Sequence, residues 1–202
     1  MQLTLEWTIA GFLFGSIPFA VLLGKLMLHK DVRNYGDGNP GGTNAWKAGG
    51  WRIGPIVTFL EIFKGWLPVY LAKIAGLTGW DLVPVALAPI LGHAFSPFLK
   101  FRGGKALGAT GGSWLAMIGW IVFPVYALLT LPVLALQEEH ALAANAGMLS
   151  LLLYAVLVDK SSFMITFAIL NWLLVGWKHR RELVHPIQMR PWVGNFLHKG
   201  NA

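Results

Sequence analysis

The feature that most constrains this chain is a succession of apolar stretches, each close to the length needed to cross a lipid bilayer. A spanning helix needs about 20 mostly apolar residues, and such stretches occupy residues 7–28, 53–72, 82–99, 120–136, 142–158 and 163–177. Only 12% of the 202 residues are charged, whereas soluble domains average about a quarter. The sequence therefore predicts an all-α polytopic membrane protein with a single domain over residues 1–202.

One interval does not fit a single helix. Residues 106–136 would form a helix far longer than the hydrocarbon core at about 1.5 Å per residue. Gly111-Gly112, Gly119 and Pro124 offer places for a break. We therefore predict a short helix over 106–118 and a full span over 120–136, which makes about seven transmembrane helices in total.

The basic residues predict the orientation, because Lys and Arg concentrate in cytoplasmic loops. With seven spans and an outer N-terminus, the outer loops keep only Lys73 and Lys160. The cytoplasmic face then receives Lys25, Lys30, Arg33, Lys47, Arg52, Lys100, Arg102, Lys105 and the basic tail from Lys178 onward. We therefore predict a multi-pass protein with a cytoplasmic C-terminus.

A polar, glycine-rich stretch over residues 30–44 separates the first two apolar spans. Glycine allows backbone conformations closed to other residues, and glycine-rich turns can aim several N–H groups at one anion. Side chains nearby add neutral donors and positive charge: Arg33, Asn39, Thr43, Asn44, Lys47 and Arg52. An ordinary connecting loop that turns tightly would show the same pattern, so both interpretations stay open.

A second glycine-rich segment, Arg102-Gly103-Gly104-Lys105, directly precedes the predicted short helix. The N-terminus of a helix favours phosphate because its free N–H groups and its dipole attract negative charge. The spacing differs from that of a Walker loop. A basic flank with glycines for close packing is the alternative. If both segments bind, their shared cytoplasmic location predicts a site for phosphorylated ligands beside the membrane lipid.

Ionisable residues also occur inside the apolar spans. Glu61 and Lys64 are three residues apart, so they share a helix face and can pair. Intramembrane charges are costly and usually functional, so structural pairing and participation in a site stay equally open. A lone histidine such as His93 on an apolar face is more often a structural hydrogen-bonding residue than a base, whereas His179 and Arg180 lie beside other cations.

The composition excludes several classes of function. The chain has no cysteine, which excludes disulfides, thiolate zinc sites and thiol nucleophiles. No histidine or carboxylate motif has the spacing of metal ligands, and no serine lies on a nucleophile elbow. Although Lys and Arg outnumber Asp and Glu by 16 to 9, no nucleic-acid motif is visible. We expect no metal, no cofactor and no nucleic-acid partner.

The segments that carry a family resemblance are Gly15-Ser16-Ile17-Pro18-Phe19, Asp31-Val32-Arg33, residues 36–44, Glu61-Ile62-Phe63-Lys64-Gly65, Gly92-His93, Phe101-Arg102-Gly103-Gly104-Lys105 and His179-Arg180-Arg181-Glu182. In order and spacing they resemble the bacterial acyl-phosphate:glycerol-3-phosphate acyltransferase family over nearly the whole chain. The resemblance implies a seven-helix, monomeric enzyme of the bacterial cytoplasmic membrane. Such an enzyme transfers a fatty acyl group from acyl phosphate to the 1-hydroxyl of glycerol 3-phosphate, giving lysophosphatidic acid and phosphate.

The resemblance also implies the residues of the site. The expected catalytic residues are Lys105, Asp37, Lys47 and His179. The expected acyl-phosphate ligands are Arg102, Gly103, Gly104, Lys105 and Gly108. The expected glycerol-phosphate ligands are Arg33, Asn39, Thr43, Asn44, Lys47, His179, Arg180 and Glu182.

This chain departs from the family pattern at several of these positions. Serine is usual where Asp37 stands, arginine where Lys47 stands, asparagine where Glu182 stands and glycine where Ala106 stands. The new carboxylates can pair with Lys47 and Arg181, Asp37 can serve as a general base, or the acceptor can carry less negative charge.

Three other functions remain open at this stage. The chain can use acyl phosphate with another hydroxyl acceptor, or it can be a non-catalytic, lipid-binding homologue. A channel or transporter is the third, but the glycine-rich segments lie at one face and without the paired repeats common in transporters.

Overall fold

The computed structural model describes residues 1–193, so the end of the predicted domain, residues 194–202, lies outside the described residues. The regular elements described are helical, apart from an isolated bridge between Gln137 and Met189. The predicted all-α membrane class is confirmed. The chain divides into two compact units, the first over residues 1–121 and the second from Val122 onward. The single domain stays a prediction.

The first unit contains α1 (Gln2–Gly15), α2 (Phe19–Leu28), α3 (Gly42–Gly49), α4 (Gly54–Ile74), α5 (Leu82–Ala94) and α6 (Leu107–Ile118). The second contains α7 (Val122–Leu136), α8 (His140–Tyr154) and α9 (Ser162–His179). The α8 helix continues as a π-helical turn over Ala155–Asp159.

Five helical runs among the described residues are long and apolar enough to cross a membrane: Gln2–Leu28, Gly54–Ile74, Gly79–Leu99, Leu107–Leu136 and His140–Asp159. The predicted break within 106–136 is present. The α6 helix ends at Gly119, whose φ of 73° favours glycine, and α7 begins at Val122. The total of about seven spans stays a prediction.

The first apolar run is not one continuous helix, which corrects the expected uninterrupted span over 7–28. It breaks between Gly15 and Phe19, where Pro18 removes a backbone donor. The carbonyls freed at the break accept side-chain donors instead. Ser96 Oγ donates to Ser16 O at 2.6 Å, and Lys64 Nζ donates to Ile17 O at 2.9 Å. Backbone polar groups at membrane depth need such partners.

Contacts within the first unit define the direction of its helices. Thr4 donates to Asp81 near the starts of α1 and α5, and Ser96 reaches Ser16 just beyond their ends, so these two helices run parallel. Near the end of α4, Lys73 Nζ donates to Ala116 O of α6 at 2.7 Å.

Near the starts of the same two helices, Gly108 packs against Glu61, so α4 and α6 also run parallel. His93, at the end of α5, meets Glu61 as well. The segments that precede α4 and α6 therefore lie at the same end of the first unit.

Glycines allow the helix pairs of the first unit to approach closely. A Cβ on Gly65 of α4 would strike the backbone of Ala109, and one on Gly112 of α6 would strike that of Ile62. The α1–α5 pair follows the same rule, because a Cβ on Gly15 would strike Pro89 and one on Gly92 would strike Phe12. Small residues at helix contacts are the usual solution in membranes, where packing drives association.

In the second unit, the segment after α9 caps the C-terminal end of α7. Arg190 Nε donates to Leu134 O at 2.7 Å, and Trp192 Nε1 donates to Ala135 O at 2.9 Å. These bonds satisfy carbonyls that the end of a helix otherwise leaves without an intrahelical donor.

The glycine packing predicts a contrast between two neighbouring glycines. Gly112→Ala should lower the free energy of unfolding by about 1–3 kcal/mol, because α6 must move away from α4. Gly111 has no atom within 4 Å of an added Cβ, so Gly111→Ala should leave stability unchanged or raise it slightly. Apparent Tm in detergent measures both. Equal Tm values for the two variants would contradict the close packing.

Candidate active site

The first glycine-rich stretch begins with an ion pair between near neighbours. Asp31 accepts hydrogen bonds from Arg33 Nε at 2.9 Å and Arg33 Nη2 at 2.6 Å, and its carboxylate also accepts from Arg33 N. The side-chain hydrogen bond from Arg33 is the main cause that lowers the pKa of Asp31 to about 2. The side-chain hydrogen bonds of this pair use Nε and Nη2 of Arg33 and do not use Nη1.

Asp37 joins the two glycine-rich segments. Its Oδ1 accepts from Asn39 N at 3.1 Å and from Asn44 Nδ2 at 2.9 Å, while its Oδ2 lies 2.7 Å from Lys105 Nζ. Of the pairings expected for Asp37, the one with Lys47 is wrong, because Lys105 is the observed partner. The two segments therefore meet at one carboxylate.

The surroundings keep Asp37 ionised. Burial acts to raise the pKa of Asp37, but the hydrogen bond and charge of Lys105, together with donors from Asn39 and Asn44, outweigh burial and lower the pKa. A carboxylate with a lowered pKa is a weaker base, which argues against the general-base role considered from the sequence.

The α3 helix begins within the first glycine-rich stretch, at Gly42, and carries the next part of the site. Thr43 lies exposed in its first turn, and Asn44 is 1% exposed. Asn44 Nδ2 also donates to Asn39 O at 2.9 Å. Asn44 Oδ1 faces Gly36, and Lys47 Nζ lies beside the same glycine. Gly36 has a φ of 58°, so this contact needs glycine both for its backbone and for its lack of a side chain.

The second glycine-rich segment packs on the end of α5. Gly104 N donates to His93 O at 3.1 Å. A Cβ on Gly103 would strike the backbone of His93, and one on Gly104 would strike His93 Nε2 and Asn39 Oδ1. Close packing therefore requires glycine at both positions, which agrees with the alternative considered from the sequence, a basic flank with glycines for close packing. Their binding of acyl phosphate stays a prediction.

Backbone strain is concentrated in the same segment. Lys100, Phe101 and Ala106 have φ values of 54°, 62° and 65°, in the left-handed region where residues with a Cβ cost about 1–2 kcal/mol each. Ala106 stands where the family resemblance expects glycine, and its positive φ explains that preference. Strained backbone of this kind often occurs at binding sites.

A buried ionic cluster supports these segments from within the helices. Glu61 Oε2 lies 2.7 Å from Lys64 Nζ and 2.8 Å from His93 Nδ1. All three residues are buried: Glu61 is 3% exposed, Lys64 1% and His93 7%. The pairing of Glu61 with Lys64 that their spacing allows is present. Gly108, expected to bind acyl phosphate, packs against Glu61 Cβ.

The link between Glu61 and His93 was missed from the sequence, although the Gly92-His93 pair was noted. With Nδ1 held at Glu61, the other ring nitrogen of His93, Nε2, faces Gly104. His93 therefore connects a buried charge to the segment that carries Lys105. Arg102, in the same segment, is exposed.

The remaining expected site residues belong to the second unit. His179 is 3% exposed, and its Nδ1 lies 2.8 Å from Val175 O one turn earlier in α9. The Arg180 guanidinium lies 4.2 Å from the ring centroid of Trp177 and donates to Trp177 O. Glu182 N donates to His179 O at 3.0 Å. These contacts order the end of α9 within its own unit.

An apolar groove of about 830 Å³ runs along α4 and α6 of the first unit. A ladder of aromatic rings forms its α4 wall: Phe59 and Phe63 stack at 5.7 Å between centroids, and Trp66 and Tyr70 at 4.5 Å. The groove extends toward Trp120, beyond the end of α6. Its lining suits a hydrocarbon chain rather than a polar ligand.

The family model of glycerol-3-phosphate acyltransferase matches residues 5–188 of the chain. The chain belongs to this family. The resemblance inferred from the sequence is thus confirmed. Among similar members of the family, the glycerol-3-phosphate acyltransferase of Thermus thermophilus is 35% identical over 182 residues, 88% of each chain. Glycerol-3-phosphate acyltransferase 2 of Bacillus cereus is 33% identical over 193 residues, 95% of each chain.

Solved structures agree with this membership. Two crystal structures of PlsY (YgiH), an integral membrane glycerol 3-phosphate acyltransferase, match this chain with TM-scores of 0.78 and 0.80. The first is its glycerol 3-phosphate form, at 30% identity and covering 89% of this chain and 90% of that one. The second is its lysophosphatidic acid form, at 29% identity and 89% of each chain.

The buried cluster predicts a large effect on the stability of this acyltransferase-family protein. Glu61→Gln should lower the free energy of unfolding by about 3–5 kcal/mol, because it leaves Lys64 charged and buried without its counter-ion. The double variant Glu61→Gln with Lys64→Met should recover part of that loss. Apparent Tm in detergent measures each variant.

The matched control is Glu6→Gln, which removes an exposed carboxylate of α1 and should leave Tm unchanged. The account of the cluster fails if Glu61→Gln unfolds at the same temperature as this control.

Proposed function

We propose that this protein transfers a fatty acyl group from acyl phosphate to the 1-hydroxyl of glycerol 3-phosphate. The observation that carries the proposal is the position of Lys105, at the start of α6 and at the junction of two glycine-rich segments. Family membership and the glycerol 3-phosphate and lysophosphatidic acid forms of PlsY support the acceptor and the product. Acyl phosphate as the donor rests on the residues that resemble the acyl-phosphate-dependent family.

The reaction needs no covalent intermediate. The hydroxyl oxygen of glycerol 3-phosphate attacks the acyl carbonyl carbon, and the bond from that carbon to the phosphate oxygen breaks. The electron pair leaves with the phosphate, and a phosphate oxygen takes the hydroxyl proton. Because phosphate is a good leaving group, positioning and charge neutralisation supply most of the catalysis. Lys105 Nζ stabilises the negative charge that develops on the carbonyl oxygen and on the departing phosphate.

The first glycine-rich stretch supplies the acceptor side of the proposed site. Lys47 Nζ lies beside Gly36 and is exposed enough to meet a phosphate. Arg33 can offer Nη1, which its pair with Asp31 does not use. The exposed Thr43 can bind a glycerol hydroxyl. Asn44 is buried and donates to Asp37 and to Asn39 O, so it holds the stretch in shape. Ligand binding by Asn39 and Asn44 rests on the family resemblance. The family resemblance implies glycerol-phosphate binding for His179, Arg180 and Glu182 as well, and their roles stay predictions.

The apolar groove suits the acyl chain of the donor. It starts near Phe59, on the turn of α4 that precedes Glu61, and runs away from the end that carries Lys105. A donor whose phosphate meets Lys105 can therefore lay its hydrocarbon tail along α4 and α6. Burial of that tail contributes about 0.8 kcal/mol per CH₂ group.

We further propose that the protein is a monomer of the bacterial inner membrane with its N-terminus outside. The parallel course of α1 with α5, and of α4 with α6, supports this orientation, because it puts both glycine-rich segments on the face that holds most of the basic residues. A site on the cytoplasmic face gives access to soluble glycerol 3-phosphate.

One observation favours a different acceptor as a second candidate function. Asp37 sets a carboxylate between Asn44 and Lys105, where a family member usually has serine, and a carboxylate repels a dianionic acceptor. A neutral or less charged alcohol that uses the same donor is the alternative function.

The direct test supplies purified protein in detergent with palmitoyl phosphate and glycerol 3-phosphate. We expect lysophosphatidic acid and inorganic phosphate in equal amounts. Lys105→Ala should lower kcat about 100- to 1,000-fold, the usual cost of removing a donor to a developing oxyanion. The control Lys25→Ala removes an exposed cation from the last turn of α2 and should retain turnover.

Full turnover by a folded Lys105→Ala protein would disprove the role given to Lys105. Folded wild-type protein that releases phosphate no faster with glycerol 3-phosphate, but faster with an added uncharged alcohol that becomes acylated, would point to another acceptor. Binding of palmitoyl phosphate without any release would identify a lipid-binding homologue.

A further inference from the structure

Asp37 forms an ion pair with Lys105 that serine, the residue which the family resemblance implies at position 37, cannot form. The two side chains meet at 2.7 Å, with Asp37 43% and Lys105 24% exposed. An ion pair that water reaches this well contributes little stability and exchanges partners readily. The lysine that the proposed function assigns to the donor's phosphate thus already has an anionic partner.

We propose that Asp37 is an exchangeable counter-ion of Lys105 that phosphate-bearing ligands must displace, and that it thereby weakens phosphate binding and favours product release. The proposal rests on the function proposed above. It makes Asp37 a specificity-determining residue that acts through Lys105.

The geometry separates two functions of the Asp37 carboxylate. Oδ1 accepts from Asn39 N and from Asn44 Nδ2, which holds the glycine-rich stretch in shape. Oδ2 contacts Lys105. When a phosphate takes over Lys105, Oδ1 keeps the stretch in place, so the carboxylate stays close to the incoming phosphate and repels it.

The repulsion acts on both phosphate ligands, but the two ligands differ in what else holds them. Inorganic phosphate binds through its charge and its hydrogen bonds alone, so the repulsion opposes everything that binds it. Acyl phosphate also buries a hydrocarbon tail, for which the apolar groove along α4 and α6 is suited, and this burial adds affinity that Asp37 does not affect. The donor therefore stays bound at concentrations at which inorganic phosphate dissociates.

The test uses Asp37→Asn in the full-length protein. Asparagine retains Oδ1 as an acceptor for Asn39 N and Asn44 Nδ2, but it removes the charge beside Lys105. We expect the inhibition constant of inorganic phosphate to fall about tenfold and the KM for palmitoyl phosphate to fall as well. A merely structural role of Asp37 predicts the opposite sign, because a distorted stretch would bind both ligands more weakly.

Asp81→Asn is the matched control. It makes the same chemical change at the opposite end of α5, where Asp81 Oδ1 accepts from Thr4 Oγ1, and should leave both constants unchanged. Asp37→Ser supplies a second variant if Asp37→Asn does not fold, since its hydroxyl oxygen also accepts from a backbone N–H.

A binding measurement keeps this inference separate from the proposed function. Inorganic phosphate and a non-hydrolysable acyl phosphonate are titrated against wild-type and Asp37→Asn protein, with the rise in apparent Tm as the signal. Tighter phosphate binding by the variant supports the counter-ion role of Asp37, whether or not the wild-type protein transfers an acyl group. Absence of acyl transfer would overturn only the proposed function. Unchanged or weaker phosphate binding by the folded variants overturns the counter-ion role of Asp37.

Discussion

Glu61 places a negative charge in the interior of the first unit. The end of that unit that carries both glycine-rich segments depends on the contacts of Glu61 with Lys64 and His93. Through Lys64 it reaches the carbonyl of Ile17, at the break between α1 and α2. Through His93 it reaches Gly104 and the segment that leads to Lys105. An unpaired charge in such an interior would be far too costly. The pairing therefore ties the helix break, the end of α5 and the start of α6 to one carboxylate.

Close helix packing makes this cluster possible. The glycines at 65, 108 and 112 bring α6 against α4, which excludes water from the carboxylate and places Lys105 at a defined position just before the first turn of α6. The strain at Ala106 and at the neighbouring left-handed residues persists because these contacts over-determine the local backbone.

The spacing of residues predicts part of this arrangement and cannot predict the rest. Helical class, the break near Gly119 and the Glu61–Lys64 pair follow from patterns within one segment, because helical periodicity relates residues three or four apart. The contacts of Glu61 with His93 and of Asp37 with Lys105 join segments distant in sequence, and no local pattern encodes such partners. The break after Gly15 was missed although Pro18 is a local signal for it. The side chains that satisfy its carbonyls, Lys64 and Ser96, lie elsewhere in the chain and have no local signal.

The central claim is that the two glycine-rich segments form one phosphate site around Lys105. A structure of this protein bound to a non-hydrolysable acyl phosphonate tests it most directly. The account predicts a phosphonate oxygen within hydrogen-bond distance of Lys105 Nζ, with the hydrocarbon tail along α4 and α6. A phosphonate bound elsewhere, with Lys105 still in contact with Asp37, would contradict it.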